Sequence, residues 1–224
     1  MALLTPILDI LPAPQRRLWS ELAAVPDHFT LYGGTALALR LGHRVSADFD
    51  FFSNESFDPD LLASRLPLLH NAERIQVAAN TLTCRIERAG PVLVSFFGAL
   101  RLGRVREPDR TADIGLQVAS LLDIAGTKAA VIQKRAETKD YLDIAALLQN
   151  GIDLPTVLAA GQIVYGETFN ALITLKALSY FDDIAGLPVE LRKLLTDAVV
   201  ATEPNTLPKL SPYRQRPDSE GAAP

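Results

Sequence analysis

The residues best suited to chemistry in this chain are two aspartates separated by one position, in SADFDFF at residues 46–52. Alternate side chains of a β-strand share a face, so Asp48 and Asp50 project together while Phe49 and Phe51 turn to a core. Carboxylates this close repel, and each costs free energy when water is removed from it. A divalent cation relieves both costs. Mg²⁺ in particular takes one or two carboxylates and completes its shell with water and phosphate oxygens. That is what phosphoryl or nucleotidyl transfer requires, because metal ions there stabilise charge on the attacking and leaving oxygens.

The preceding stretch, LYGGTALALRLGHRVS, suits the same chemistry. Gly33 and Gly34 follow an expected strand over residues 28–32 and precede an expected short helix in TALALRL. Without a Cβ, their backbone can approach a ligand closely. The start of the helix offers unpaired N–H groups and a positive dipole end to an anion, and Thr35 adds a hydroxyl. Neither GxxxxGK[ST] nor GxGxxG occurs. Taken singly, the glycine pair is a tight turn and the DxD a solvent-facing strand; the two together, across one short helix, favour a metal–nucleotide site. His43 is either a packing residue or a partner of Asp48, Arg44 meets phosphate or solvent, and Ser46 caps or orients the start of the strand. His28 and His70 read as ordinary surface residues. With few histidines and no HD or HExxH pattern, metal-dependent hydrolysis has little support.

These residues need a scaffold. The chain has 224 residues, is 48% hydrophobic and 21% charged, and carries a formal charge of −4. That composition allows a sizeable core and argues against broad coating of nucleic acid. RLGRVREPDR still gathers Arg101, Arg104, Arg106 and Arg110, as a solvated loop or a phosphate-contacting patch. A single cysteine, Cys84, excludes an internal disulfide framework and fits a reducing cytoplasm. MALLTPILDILPAPQRR makes a poor signal peptide, and no apolar run of roughly 18 residues suggests a membrane span.

A short helical pattern runs from PAPQRR through residues 18–25. Asp58 is placed to cap a helix with Pro59 in its first turn. RIQVAA, TLTCRIER and VLVSFF read as an antiparallel meander with turns at Asn80 and at Ala89-Gly90-Pro91, and IGLQVA as a further strand. From Ser120 the period becomes helical, through SLLDIAGTKAAVIQKR, TKDYLDIAALLQ, PTVLAAGQIVY, TFNALITLKALSYF and VELRKLLTDAVV. There is no repeat of solenoid length. The expected class is α+β: a mixed β-sheet core with flanking helices over residues 1–116, an α-helical C-terminal region over 117–204, and a flexible tail over 205–224.

Lys128 and Arg135, seven apart, share an expected helix face, as do Asp140 and Asp143 on the next helix. Lysine is a compact charge suited to a triphosphate. The alternative is an interhelical salt-bridge network, in which each pair contributes little when exposed.

YGGTALALRLGHRVSADFDFF resembles the first motif of the nucleotidyltransferase AbiEii/AbiGii toxin family, where a glycine pair, a helix, an HR-x-S element and a DxD strand follow one another. The order of the later elements agrees, over roughly residues 28–150. The resemblance implies a fold similar to DNA polymerase β-type nucleotidyltransferases, with Mg²⁺ at Asp48 and Asp50. It implies an NTP held by Gly33, Gly34, Thr35, Arg44 and Lys128, and Asp140 or Asp143 either positioning Lys128 or acting as base on an acceptor hydroxyl. The implied activity is transfer of NMP from NTP to a hydroxyl of RNA, such as a tRNA end, or of a protein; γ-phosphoryl transfer is the variant. The implied role is the toxin of a type IV AbiE-like toxin–antitoxin pair. One feature departs from the pattern. Such enzymes usually bring a third carboxylate from a neighbouring strand, and PVLVSFFG offers Ser95 there, with Glu87 the nearest acidic residue. One metal instead of two, a carboxylate recruited from Asp140 or Asp143, or a non-catalytic nucleotide- or partner-binding module are the alternatives this raises.

Overall fold

The computed structural model describes residues 2–135 and 137–213. In chain order the elements are β1 (Leu3–Leu4), α1 (Ala13–Leu18), β2 (Thr30–Tyr32), α2 (Gly33–Leu41), β3 (Asp48–Phe52), α3 (Pro59–Arg65), β4 (Glu73–Ala78), β5 (Thr81–Glu87), β6 (Pro91–Phe97), β7 (Asp109–Thr111) and β8 (Gln117–Val118). The helices α4 (Leu121–Val131), α5 (Thr138–Gln149), α6 (Leu154–Tyr165), α7 (Ala171–Leu178) and α8 (Val189–Val200) follow. The eight strands form one mixed sheet in the order β1-β7-β8-β2-β3-β6-β5-β4. β3 runs antiparallel to β2 and parallel to β6. The expected α+β class, with a sheet followed by a helical half, is what the chain adopts, and the β4-β5-β6 meander is antiparallel throughout.

The pleat assigns the two faces as the alternation demands. Leu31, Phe49, Phe51, Leu82, Val94 and Phe96 are fully buried on one face. Trp19 packs on Phe49 there, and Phe51 stacks on Phe96. The other face carries Tyr32, Asp48, Asp50, Phe52, Ser95 and Phe97, which is where chemistry becomes possible. One continuous apolar core joins this sheet to the helical half. The backbones of α4 and α6 cross closely: a Cβ on Gly126 would lie 2.8 Å from the Ala160 carbonyl.

Local chemistry sets several ends. Asp58 caps α3 by accepting the Leu61 N–H at 2.8 Å, with Pro59 in the first turn. Gly42, at φ +62°, ends α2. Other boundaries differ from expectation. β2 starts at Thr30, not residue 28, because the Phe29 N–H closes a turn onto the Pro26 carbonyl at 2.9 Å. The pattern over residues 18–25 becomes a tighter 3₁₀ turn, Trp19–Ala24, ahead of Pro26. The glycine pair does not stand between strand and helix; it is the first two residues of α2. α4 stops at Val131, so Arg135 lies in the link to α5 and shares no helix with Lys128.

Leu207 packs on the core, and the Tyr213 N–H donates to the Arg104 carbonyl at 2.7 Å. The rest of the expected tail, 214–224, lies outside the described residues. Of the clustered arginines, Arg104 reaches the Thr30 hydroxyl and Arg110 pairs with Asp27. Among the described residues no single helix is long and apolar enough to cross a membrane.

Candidate active site

A cavity of about 500 Å³ opens over the Asp48–Asp50 face of β3. The start of α2 contributes Gly33 and Gly34, α4 contributes Lys128, and Arg44, Arg135 and Lys139 complete a basic wall. Asp48 is exposed and Asp50 half-buried. Burial pushes the Asp50 carboxyl up to about 6 and the neighbouring Asp48 charge adds to the rise, against the pull of Lys128, Arg135 and Lys139. Among the described residues no hydrogen-bond donor meets that carboxylate.

The glycine pair brings side chains of the protein itself over the start of α2. Gly33 has φ +75°, and a Cβ there would lie 2.8 Å from Asp50 Oδ2. A Cβ on Gly34 would lie 2.7 Å from Arg44 Nη2 and 2.8 Å from Ser46 Oγ. The Asp50 carboxylate thus lies close over the Gly33 backbone at the start of α2, a position that only a residue without a Cβ allows. Thr35 lies elsewhere than expected. It is buried, and its hydroxyl donates to the Asp48 carbonyl oxygen at 2.5 Å, pinning the start of β3 instead of facing the cavity.

Behind the basic wall lies a buried ionic cluster centred on Asp143, which is fully buried. Arg44 donates to it through Nε at 2.7 Å and Nη2 at 2.8 Å, and His43 Nε2 lies 2.7 Å from Oδ1. Lys128 Nζ sits 2.5 Å from its Oδ2 and 3.7 Å from Asp140 Oδ1. Arg135 Nε donates to Asp140 at 2.9 Å. Burial alone would raise Asp143, but the hydrogen bonds from His43 and Arg44, with the Lys128 charge, hold it well below the usual carboxylate range. His43 therefore partners Asp143 and not Asp48, and its buried Nδ1 has no hydrogen-bond partner among the described residues. Asp140 and Asp143 do not line the cavity; the interhelical network is present, and it is buried and holds Lys128 at the cavity wall.

Ser95 stands directly beside Asp50 in the sheet register, and its hydroxyl accepts from Thr83 at 3.2 Å. Glu87 pairs with Pro91, at the far end of β5, away from Asp50. Among the described residues no group of three or more histidine, cysteine or acidic side chains is placed to hold a metal. Among the described residues, the carboxylates that line the cavity are those of Asp48 and Asp50. This pair fits Mg²⁺, which is satisfied by one or two carboxylates with water and phosphate oxygens. Lys139 and Tyr165 also line the cavity. Sequence reasoning gave neither a role: Lys139 opens KDYLDIAALL, an element of the family pattern in which only Asp140 and Asp143 were assigned chemistry, and Tyr165 stands in no motif. The packing of α5 and α6 brings both to the cavity.

A mixed sheet with a carboxylate pair on a central strand, facing a helix N-terminus and a lysine anchored from a second helix, suits the chemistry of phosphoryl or nucleotidyl transfer. The profile of the nucleotidyl transferase AbiEii toxin, of type IV toxin–antitoxin (TA) systems, matches residues 17–211, and the chain belongs to that family. It is a nucleotidyltransferase toxin by membership, which carries a nucleotide substrate and an antitoxin partner with it. The uncharacterized protein aq_aa25 of Aquifex aeolicus (strain VF5) is 32% identical over 160 residues, covering 70% of this chain and 75% of that one. Among solved structures, MenT4, a nucleotidyltransferase toxin from Mycobacterium tuberculosis H37Rv, superposes with a TM-score of 0.57 at 15% identity, over 87% of each chain. At that identity the likeness speaks for the fold.

Proposed function

We propose that this protein transfers a nucleoside monophosphate from an NTP to an acceptor hydroxyl, with Mg²⁺ held by Asp48 and Asp50. The observation that carries this reading is the meeting of both carboxylates, the glycine start of α2 and Lys128 in one cavity. Mg²⁺ bound there would neutralise charge on the transferring phosphate and its leaving group. The protein's own residues supply position and charge. Lys128, Arg135 and Lys139 set a cationic wall for the triphosphate, and α2 directs its N–H groups at the same space. The acceptor hydroxyl oxygen bonds to the α-phosphorus as its proton passes to water in the open cavity, and the bond from the α-phosphorus to the bridging oxygen breaks, so that the electron pair leaves with pyrophosphate. Asp140 and Asp143, buried behind the wall, serve as positioning residues for Lys128 and Arg44.

The acceptor we propose is an RNA such as a tRNA end, with a protein side chain as the variant, in the cytoplasm and under control of the cognate antitoxin. Incubation with α-labelled NTPs, Mg²⁺ and total tRNA or cell extract should transfer label, and Asp48→Ala should lower the rate by about 10²-fold or more. No transfer with any NTP by the parent protein would overturn the reading. Ser95 in place of an acid beside Asp50 favours a second reading, a nucleotide-binding module without turnover. Stabilisation by Mg-NTP that vanishes in Asp48→Ala, with no transfer, would select it.

A further inference from the structure

A second cavity, of about 470 Å³, adjoins the first and shares Phe52 and Tyr165 with it. Phe97 extends its aromatic wall, and Arg101, Lys134 and Thr168 stand at its exposed rim. The sheet explains the adjacency. Asp48, Asp50 and Phe52 follow each other on one face of β3, with Ser95 beside Asp50 and Phe97 beside Phe52. One strand period, about 7 Å, therefore leads from the carboxylates to the aromatic pair. Phe52 is braced from behind by Tyr32, stacked at 4.9 Å, and meets Phe97 edge-on at 5.7 Å.

The rim is held in a costly conformation. Ala99 and Arg101 both lie in the left-handed region, at φ +54° and +53°. Their loop is pinned from several sides: Asn54 exchanges hydrogen bonds with Leu102 at 2.8 and 2.9 Å, and the Ala99 and Gly103 N–H groups each reach a carbonyl, of Glu55 and Val164, at 2.9 Å. Backbone strain retained by surrounding contacts concentrates at ligand sites.

We propose that this cavity receives the nucleobase of the NTP whose phosphates lie over Asp48 and Asp50. The inference rests on the transferase reading above and deepens it by placing the base. Aromatic side chains stack on any nucleobase, exposed cations at the rim meet its carbonyl oxygens or the ribose, and the ribose spans the step between the two cavities. The volume suits a base with its sugar.

Calorimetric titration of NTPs and of inorganic tripolyphosphate, each with Mg²⁺, tests the assignment on the parent and on Phe97→Leu. The variant should lose NTP affinity by about tenfold or more while tripolyphosphate binds as before. A second measurement needs no variant: near-UV cross-linking of 4-thio-UTP to the parent should map to residues 97–102 or 164–168. Unchanged NTP affinity in the folded variant, an equal loss for tripolyphosphate, or cross-links confined elsewhere would overturn the assignment. A loss confined to acceptor RNA would overturn it too, giving the cavity to the other substrate. A parent protein that binds neither NTP nor tripolyphosphate would instead strike the transferase reading itself.

Discussion

Asp50 carries a charge that the unliganded fold disfavours, and the consequence is measurable. Its carboxyl titrates near 6 in the folded chain against an ordinary value of 3.8. Between those values the folded state keeps a proton that the unfolded chain releases, so stability falls as pH rises from about 4 to about 6, and the penalty is complete at neutral pH. In EDTA at neutral pH, Asp50→Asn should therefore unfold at higher denaturant than the parent, by about 1–2 kcal/mol, and the difference should vanish near pH 3. Denaturant titrations across that range check both limbs; a variant no more stable than the parent at neutral pH would refute the account. Asp143 has the opposite sense, and its contribution is present above the ordinary carboxylate range and lost in acid. Both proteins share that acid loss, so it cancels in the comparison. His43 illustrates what a residue cannot announce on its own: its partner lies 100 positions away, and nothing in GHRVS selects Asp143 over Asp48.

The start of α2 is the element on which the site turns. Gly33→Ala would force a Cβ onto Asp50 Oδ2 and impose a backbone at φ +75° that alanine resists, a cost of about 1–2 kcal/mol. Gly151 offers the control, since its φ is +83° and a Cβ there meets nothing within 4 Å. Gly151→Ala should cost comparable stability and leave transfer intact, whereas Gly33→Ala should lose transfer as well; equal activity in the two would show that the close approach to Asp50 is immaterial. The order of these elements is legible in the sequence because alternation in SADFDFF and the 3.6-residue period after Ser120 are both strong. Their ends are less so. The apolar pattern of α4 continues through Ile132, yet the chain must turn back into α5, and Arg135 leaves the helix to reach Asp140. β1 and β7 escaped notice because each is a short run defined by a distant partner: Leu3 pairs with Arg110.

At the scale of the molecule, the site spans both halves of the chain: β3 and α2 bring the carboxylates and glycines, and α4 brings Lys128. The residue types were legible, and so was the family pattern that joins them, but the sheet order that puts β3 between β2 and β6 depends on long-range pairing. What fixes α4 relative to β3 is its crossing with α6, where Gly126 leaves no space for a side chain against the Ala160 backbone. Gly126→Val should overpack that crossing, destabilise the protein by about 1–3 kcal/mol, and displace Lys128 two residues further along α4. Because one apolar core crosses from the sheet to the helices, the loss should appear in calorimetry as a single transition moved to lower temperature, with transfer reduced in the same variant. Two separated transitions, or full transfer in a destabilised Gly126→Val, would mean that the lysine finds its place without the α4–α6 crossing.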